Sequence, residues 1–369
     1  MKENFGAASP IAKLSVRNTW GTLWDPFIRE CRVPLQLMHR IFIFVIAAAS
    51  VAAADLTPVA QHGRLRTDGA RIVGDDGEPV SLAGNSLFWS QWEGEWWNPD
   101  CIRWLKHDWK STIIRAPLGI VPGGYLQHPD IERRRLETVV DAAIAEGLYV
   151  IIDWHDHHAH RHEAQAIDFF QQMARKYGEK PNVVYEIYNE PETVSWAKQV
   201  KPYAEHVIAA IRAIDPDNLI VVGTPRWSQD VDVAAKDPIN DVNVAYALHF
   251  YAGTHKHALR AKAEAALRSG AALMVTEWGS CDADGRGKID ATSTAEWMKF
   301  MRTWRLSHCN WAVSDKNESA SALLPHASPQ GNWRDEQLTE SGKLARQWIR
   351  EWAMLFPNGT ATSQDTEPK

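Results

Sequence analysis

From residue 80 onward, short apolar runs alternate with polar loops and amphipathic stretches. The runs lie at 80–85, 112–118, 148–153, 183–188, 219–222, 242–248, 273–276 and 310–313. Each is short, rich in β-branched or aromatic residues and bounded by turn formers, the pattern of a buried strand. Between them, 131–146, 165–177 and 203–214 carry apolar residues at helical spacing. Gly147 stands where the first of these helices should stop. Strands alternating with helices predict a parallel sheet. Eight runs fit a closed (β/α)8 barrel, the TIM-barrel architecture, as a single domain over 55–355. A doubly wound open sheet is the competing arrangement, but no glycine-rich phosphate loop follows the first run. Residues 64–82 read as a hairpin turning at the D-D-G of 75–77. A last helix is expected over 341–355, with Leu344, Trp348 and Trp352 on one face as packing residues. Residues 356–369 are polar, lack periodicity and read as a disordered tail.

The stretch 41–54 has another character. It reads I-F-I-F-V-I-A-A-A-S-V-A-A-A, follows His39-Arg40 and ends in an A-x-A site. This is the pattern of a cleaved secretory signal, and it is too short for a membrane span. A signal over 38–54 implies a start at Met38, with 1–37 a mis-called extension. It also implies a secreted protein, extracellular or periplasmic, with no membrane contact after cleavage. Removing 1–54, which holds six Lys/Arg against three Asp/Glu, takes the formal net charge from −6 to −9. Such acidity argues against nucleic acid or anionic membrane as partners and suits an uncharged substrate. A monomer is expected. Of the four cysteines, Cys31 lies in the leader. Cys101, Cys281 and Cys309 allow at most one disulfide and show no C-x-x-C zinc spacing.

The chemistry gathers where the runs end. V-V-Y-E-I-Y-N-E-P (183–191) places Asn189 and Glu190 at the end of a run, because Pro191 has no N–H to continue a ladder. L-M-V-T-E-W-G (273–279) places Glu277 the same way. In a barrel these carboxyl ends converge on one face. Two carboxylates that meet there are what glycoside hydrolysis requires. The other run ends bring Asn85 and Trp89, Arg115, His155, Trp227, His249 and Tyr251, then Trp311 followed by Lys316 and Glu318. The chain is rich in tryptophan, and Phe88, Trp89, Trp92, Trp96 and Trp97 crowd the first loop. Indole faces stack on sugar rings, although packing is the expected role of at least one of Trp96 and Trp97. Five histidines within 155–162 invite a zinc reading. No zinc-motif spacing accompanies them, so neither metal nor cofactor is expected.

The ordered set Arg115, His155, Asn189-Glu190-Pro191, His249-x-Tyr251, Glu277 and Trp311 resembles glycoside hydrolase family 5. W-A-V-S-D-K-N-E-S-A-S-A-L (311–323) is similar to its bacterial endoglucanase members. The resemblance spans about 63–352. It implies Glu190 as general acid/base and Glu277 as nucleophile, with Asn189 on the sugar 2-hydroxyl. Arg115 and Tyr251 would support Glu277, and His249 would lie near Glu190. His155 and Trp311 would hold the sugar at the cleavage point, with Trp89 and Trp227 as platforms on either side. Lys316 and Glu318 would bond sugars on the non-reducing side. Asn85 stands where relatives often carry His, which would alter a sugar contact. The expected activity is a retaining endo-β-1,4-glucanase acting on cellulose or soluble β-glucan. A mannanase, a xyloglucanase and a catalytically dead carbohydrate-binding protein are the alternatives.

Overall fold

The computed structural model describes residues 56–360. The expected extension and signal, Cys31 and residues 361–369 lie outside the described residues. A short helix (Pro58–His62) leads into a short antiparallel ribbon, β1 (Arg66–Asp68) and β2 (Arg71–Val73). Eight strands follow: β3 (Ala83–Leu87), β4 (Ile113–Gly119), β5 (Tyr149–His155), β6 (Val183–Glu186), β7 (Ile220–Val222), β8 (Val244–Tyr251), β9 (Leu273–Gly279) and β10 (His308–Val313). These eight pair in parallel in chain order, and β10 returns to β3 to close a barrel. A helix follows each strand, from Pro99–Trp104 after β3 to Glu340–Leu355 after β10. The (β/α)8 barrel expected from the runs is the fold observed. None of the described helices is long and apolar enough to cross a membrane.

Strand alternation builds two apolar layers. Ile113, Tyr149, Ile151, Val184, Val221, Ala247 and Met274 cluster inside the barrel. Ile114, Ala116, Val150, Ile152, Tyr185 and Val275 pack outward against the helices. Leu65, Ile72 and Val80 join the inner cluster from the amino-terminal segment and plug that end. The opposite, carboxyl end is left to polar groups.

Local signals explain the element ends. Asn98 caps its helix by accepting from Cys101 N at 3.0 Å, with Pro99 in the first turn. The helix Pro129–Ala145 ends as Gly147 predicted. Gly147 has φ 68, its N–H donates to Ile144 O at 3.0 Å, and Leu148 N donates to Ala143 O at 2.9 Å. That is a Schellman motif.

Three expectations need correction. Asn85 does not reach the barrel mouth. It shares its face with Ala83 and Leu87, which pack toward the helices, and it is fully buried with Ser111 Oγ donating to its Oδ1 at 2.9 Å. The strand runs on to Leu87, so Asn85 sits mid-strand with the outward parity. The expected hairpin at the D-D-G is present, with Val73 pairing antiparallel to Pro79 and Val80 N donating to Ile72 O at 2.9 Å, and a second turn at Gly69 and Ala70 joins β1 to β2 ahead of it. The last helix buries Ser341, Gly342, Ala345, Ile349 and Trp352, one position away from the Leu344 and Trp348 face. The expected tail begins too early: Phe356 is buried against Trp352, and Thr360 bridges to Val80. Cys101, Cys281 and Cys309 are all buried and unpaired.

Gly147→Ala tests the cap. A left-handed alanine costs about 1–2 kcal/mol, and its Cβ would lie 2.4 Å from Thr57 Oγ1. Chemical denaturation should show at least that loss of unfolding free energy, with kcat unchanged. Full stability in the variant would remove the cap from the account.

Candidate active site

Alternation decides what each strand delivers to the mouth. On β4 the inward residues are Ile113 and then Arg115; on β5, Tyr149, Ile151, Asp153 and His155; on β8, Ala245, Ala247, His249 and Tyr251. The lower members are apolar and the upper members carry the chemistry. Two strands break the period. Ala247 and His249 of β8 pair with Met274 and Glu277, so two steps on β8 face three on β9. This bulge turns both Thr276 and Glu277 inward while Val275 and Trp278 stay in the helix layer. On β10, Asn310 pairs with Asn85 and Val313 with Leu87, so a second bulge turns Trp311 and Ala312 toward the mouth.

Arg115 lies at the centre, fully buried. Its Nε donates to Glu186 Oε2 at 2.7 Å and its Nη1 to Glu277 Oε2 at 2.9 Å. Its Nη2 lies 2.6 Å from Asn189 Oδ1 and 2.9 Å from Asp153 Oδ2. With Oδ1 taken, the Asn189 amide N–H2 is left for a ligand. Glu277 accepts a second bond from Tyr251 Oη at 2.7 Å, so both its oxygens are held. Glu190 faces it with one oxygen tethered, His249 Nδ1 lying 2.9 Å from Oε1. His157 Nδ1 stands 3.6 Å from Oε2. Donor atoms of Glu190, His249 and Glu277 all lie within 4.8 Å of one another.

Burial lowers His249, but the charge of Glu277 and the bonds to Glu186 and Glu190 outweigh it and raise the pKa to about 9. Burial pushes Glu190 up, but the hydrogen bond and charge of His249, with His157 and Arg115, together outweigh it and hold Glu190 below the usual carboxylate range. Glu277 goes the other way. Burial and the charge of Glu190 push it up, against His249, Arg115 and Tyr251. Burial also raises Asp153 well above its ordinary value and keeps His155 neutral. The cluster thus sets Arg115 and His249 against Asp153, Glu186, Glu190 and Glu277. Two carboxylates held this close in a buried cleft favour sharing one proton between Glu190 and Glu277.

Aromatic residues flank the pair. Trp311 stacks parallel to His155 at 5.3 Å, and Trp89 meets His155 edge-on at 4.1 Å. Trp92, absent from the sequence-derived set, lies 4.8 Å from Trp89 and is 53% exposed. On the other side of the glutamates a cavity of about 430 Å3 is lined by Trp227, His255 and Arg226. Lys316 and Glu318 pair with each other at 2.7 Å, and the Lys316 ammonium sits 5.1 Å from the Phe88 ring. Trp96 and Trp97 are both buried packing residues. The five histidines disperse to separate partners: His155 to Asp153, His157 to Glu190, His158 to Glu192, His160 to Tyr188 and His162 to Asp156.

Sequence reasoning missed Asp153, Glu186 and Thr276, although a charged residue inside a buried run is itself a signal. It also missed Gly279, whose added Cβ would lie 2.5 Å from the Tyr251 ring. Gly279→Ala should push Tyr251 off Glu277. The loss of a hydrogen bond to a charged group predicts a fall in kcat of about 10- to 100-fold, with KM little changed. Steady-state kinetics retaining wild-type kcat would show that Tyr251 does no work on Glu277.

The sequence profile of cellulase (glycosyl hydrolase family 5) matches residues 73–317. Endoglucanase Z of Dickeya dadantii is 55% identical over 308 residues, covering 82% of this chain and 70% of the relative. A solved protein from Cytophaga hutchinsonii is 50% identical with a TM-score of 0.80, covering 82% of this chain and 98% of that one. The catalytic domain of Thermobifida fusca endoglucanase Cel5A, solved as a variant with cellotetraose, is 33% identical with a TM-score of 0.77 and covers 80% of this chain and 100% of that one. The barrel, the paired glutamates at its mouth and likeness over most of the chain lead to one conclusion: the protein is a glycoside hydrolase and belongs to glycosyl hydrolase family 5.

Proposed function

We propose that the protein is a retaining endo-β-1,4-glucanase that cleaves internal bonds of cellulose or soluble β-glucan. The spacing of the glutamates carries the reading: a carboxylate oxygen of Glu190 lies within 4.8 Å of one of Glu277. Retaining enzymes hold the two groups about 5–5.5 Å apart, whereas inverting enzymes leave about 6.5–9.5 Å for a water.

The division of roles follows from the hydrogen bonds. Glu277 is oriented at both oxygens by Arg115 and Tyr251, as a nucleophile aimed at an anomeric carbon must be. Glu190 has Oε1 tethered and Oε2 open for proton transfer. A sugar settling on Trp311 displaces water from the cleft. Desolvation then penalises the charge on Glu190, and Glu277 must be ionised to attack, so the shared proton passes to Glu190. Glu277 bonds to the anomeric carbon as Glu190 protonates the departing oxygen. Glu190, now a base, takes a proton from a water whose oxygen bonds to the anomeric carbon as the bond to Glu277 breaks, which frees the sugar and restores both glutamates. The Asn189 amide is placed to bond the 2-hydroxyl, a contact that strengthens in the transition state.

The substrate class is supported by the endoglucanase relatives and by the neighbour solved with cellotetraose. Tryptophans on both sides of the pair suit a chain that runs through the cleft, hence internal cleavage. The leader pattern of 38–54 supports a secreted enzyme.

Reducing-sugar release should be strong on carboxymethylcellulose and weak on mannan, with viscosity falling early. The reverse preference would replace glucanase by mannanase. A second test separates the glutamates. Glu277→Ala should lose the first step and regain turnover with azide, giving an inverted product. Glu190→Ala should still accept an aryl cellobioside, show a burst, and give a retained azide product. Exchanged stereochemistry would reverse the two assignments.

A further inference from the structure

Behind Glu190 runs a line of buried polar groups that the scheme above does not use. His249 Nε2 lies 2.8 Å from Thr276 Oγ1, and Thr276 Oγ1 donates to Glu186 Oε1 at 2.6 Å. None of the three residues is more than 1% exposed. Their hydrogens can be counted. Glu186 accepts from Arg115 at its other oxygen, which keeps it ionised and acceptor-only. Thr276 has one hydroxyl hydrogen, and Glu186 takes it. The Thr276 oxygen can then only accept from His249, so Nε2 carries a hydrogen. On the other side of the ring, ionised Glu190 offers only lone pairs to Nδ1. Nδ1 therefore carries a hydrogen as well.

We infer that Thr276 and Glu186 are positioning residues for the acid/base: they fix His249 Nε2 as a donor, so the ring can offer Glu190 a hydrogen only while it is an imidazolium. This rests on the reading of Glu190 as acid/base. In the cationic state Nδ1–H occupies Oε1 and leaves Oε2 to face the sugar. When His249 loses a proton, it must be the one on Nδ1, because Nε2–H is tied to Thr276. Nδ1 then becomes an acceptor facing Oε1. It draws the acid's proton to that oxygen, away from the glycosidic bond. The alkaline loss of activity therefore reports His249.

The groups facing His249 come from four strands and the loop after β6. They are Arg115 on β4, Asp153 and His155 on β5, Glu186 on β6, Glu190 after it, and Glu277 on β9. The acidic members favour the imidazolium, in keeping with a pKa raised to about 9.

Nitrogen NMR on isotopically labelled full-length protein reads the ring directly, with His249→Asn to assign the signals. Below the His249 pKa both ring nitrogens should be protonated; above it, Nε2 alone. Thr276→Val removes the acceptor and should move the alkaline limb of kcat/KM about one to two units toward lower pH. Thr276→Ser should restore it. Should Thr276→Val fail to fold, Glu186→Gln serves instead, because an amide can donate to Thr276 and free its hydroxyl to donate to Nε2. That variant should shift the limb the same way. A neutral wild-type ring protonated on Nδ1 would overturn the inference. So would an unmoved alkaline limb in a variant that only melts earlier. The NMR result does not depend on which glutamate is the acid. Exchanged azide products with Nε2–H retained would overturn the role of Glu190 and leave the fixed His249 tautomer standing.

Discussion

One guanidinium ties the floor of the cleft together. Burying a charge costs several kcal/mol unless its hydrogen bonds are met. Arg115 meets them with Glu186, Glu277, Asn189 and Asp153, residues drawn from three different strands and a loop. A buried ion pair is weak evidence for stability, but it fixes geometry firmly. Through it the Asn189 amide has one orientation and Glu277 one rotamer. Asp153 passes the constraint to His155. Glu186 passes it through Thr276 and His249 to Glu190. Glu277 and Glu190, the carboxylates proposed to do the chemistry, are therefore registered to the same cation, one directly and one through three intermediates.

The backbone had to bend its own rule to allow this. A strand shows alternate residues to one face. On β9 that rule would send either Thr276 or Glu277 to the helices, yet one is needed behind Glu190 and the other before the sugar. The bulge resolves the conflict by turning two successive side chains inward. On β10, where alternation already turns Trp311 inward, the same device adds Ala312 beside it and returns Val313 to the helix layer.

The barrel was legible because eight apolar runs and their intervening helices repeat a strong pattern. The two glutamates were legible because each ends such a run, and Pro191 marks the stop. Asn85 was misplaced because its run was ended two residues early, and in a strand the choice of frame decides the face. Asp153, Glu186 and Thr276 were hidden inside runs that otherwise read as core. Their roles depend on Arg115, which lies far away in sequence. Hydrogen bonds between distant strands, and bulges that change which face a residue takes, leave no local pattern.

The cavity-side platform depends on the acid/base segment in a similar way. Arg226, Trp227 and Ser228 are all left-handed, with φ of 59, 57 and 54. Each such residue costs about 1–2 kcal/mol. Three hydrogen bonds oppose that cost: Arg226 N to Glu192 O at 2.9 Å, Trp227 N to Pro191 O at 2.8 Å and Ser228 Oγ to Asn189 O at 2.7 Å. At about 1 kcal/mol each, these offset much of the strain. Every acceptor belongs to 189–192, the segment that carries Glu190. The turn therefore keeps its shape only while that segment is in place, and Trp227 is set relative to the proton donor rather than to the loop around it. In the proposed role of Trp227, a sugar stacked on it would be aligned with Glu190 itself, which is the condition for remote binding energy to act on the reacting bond.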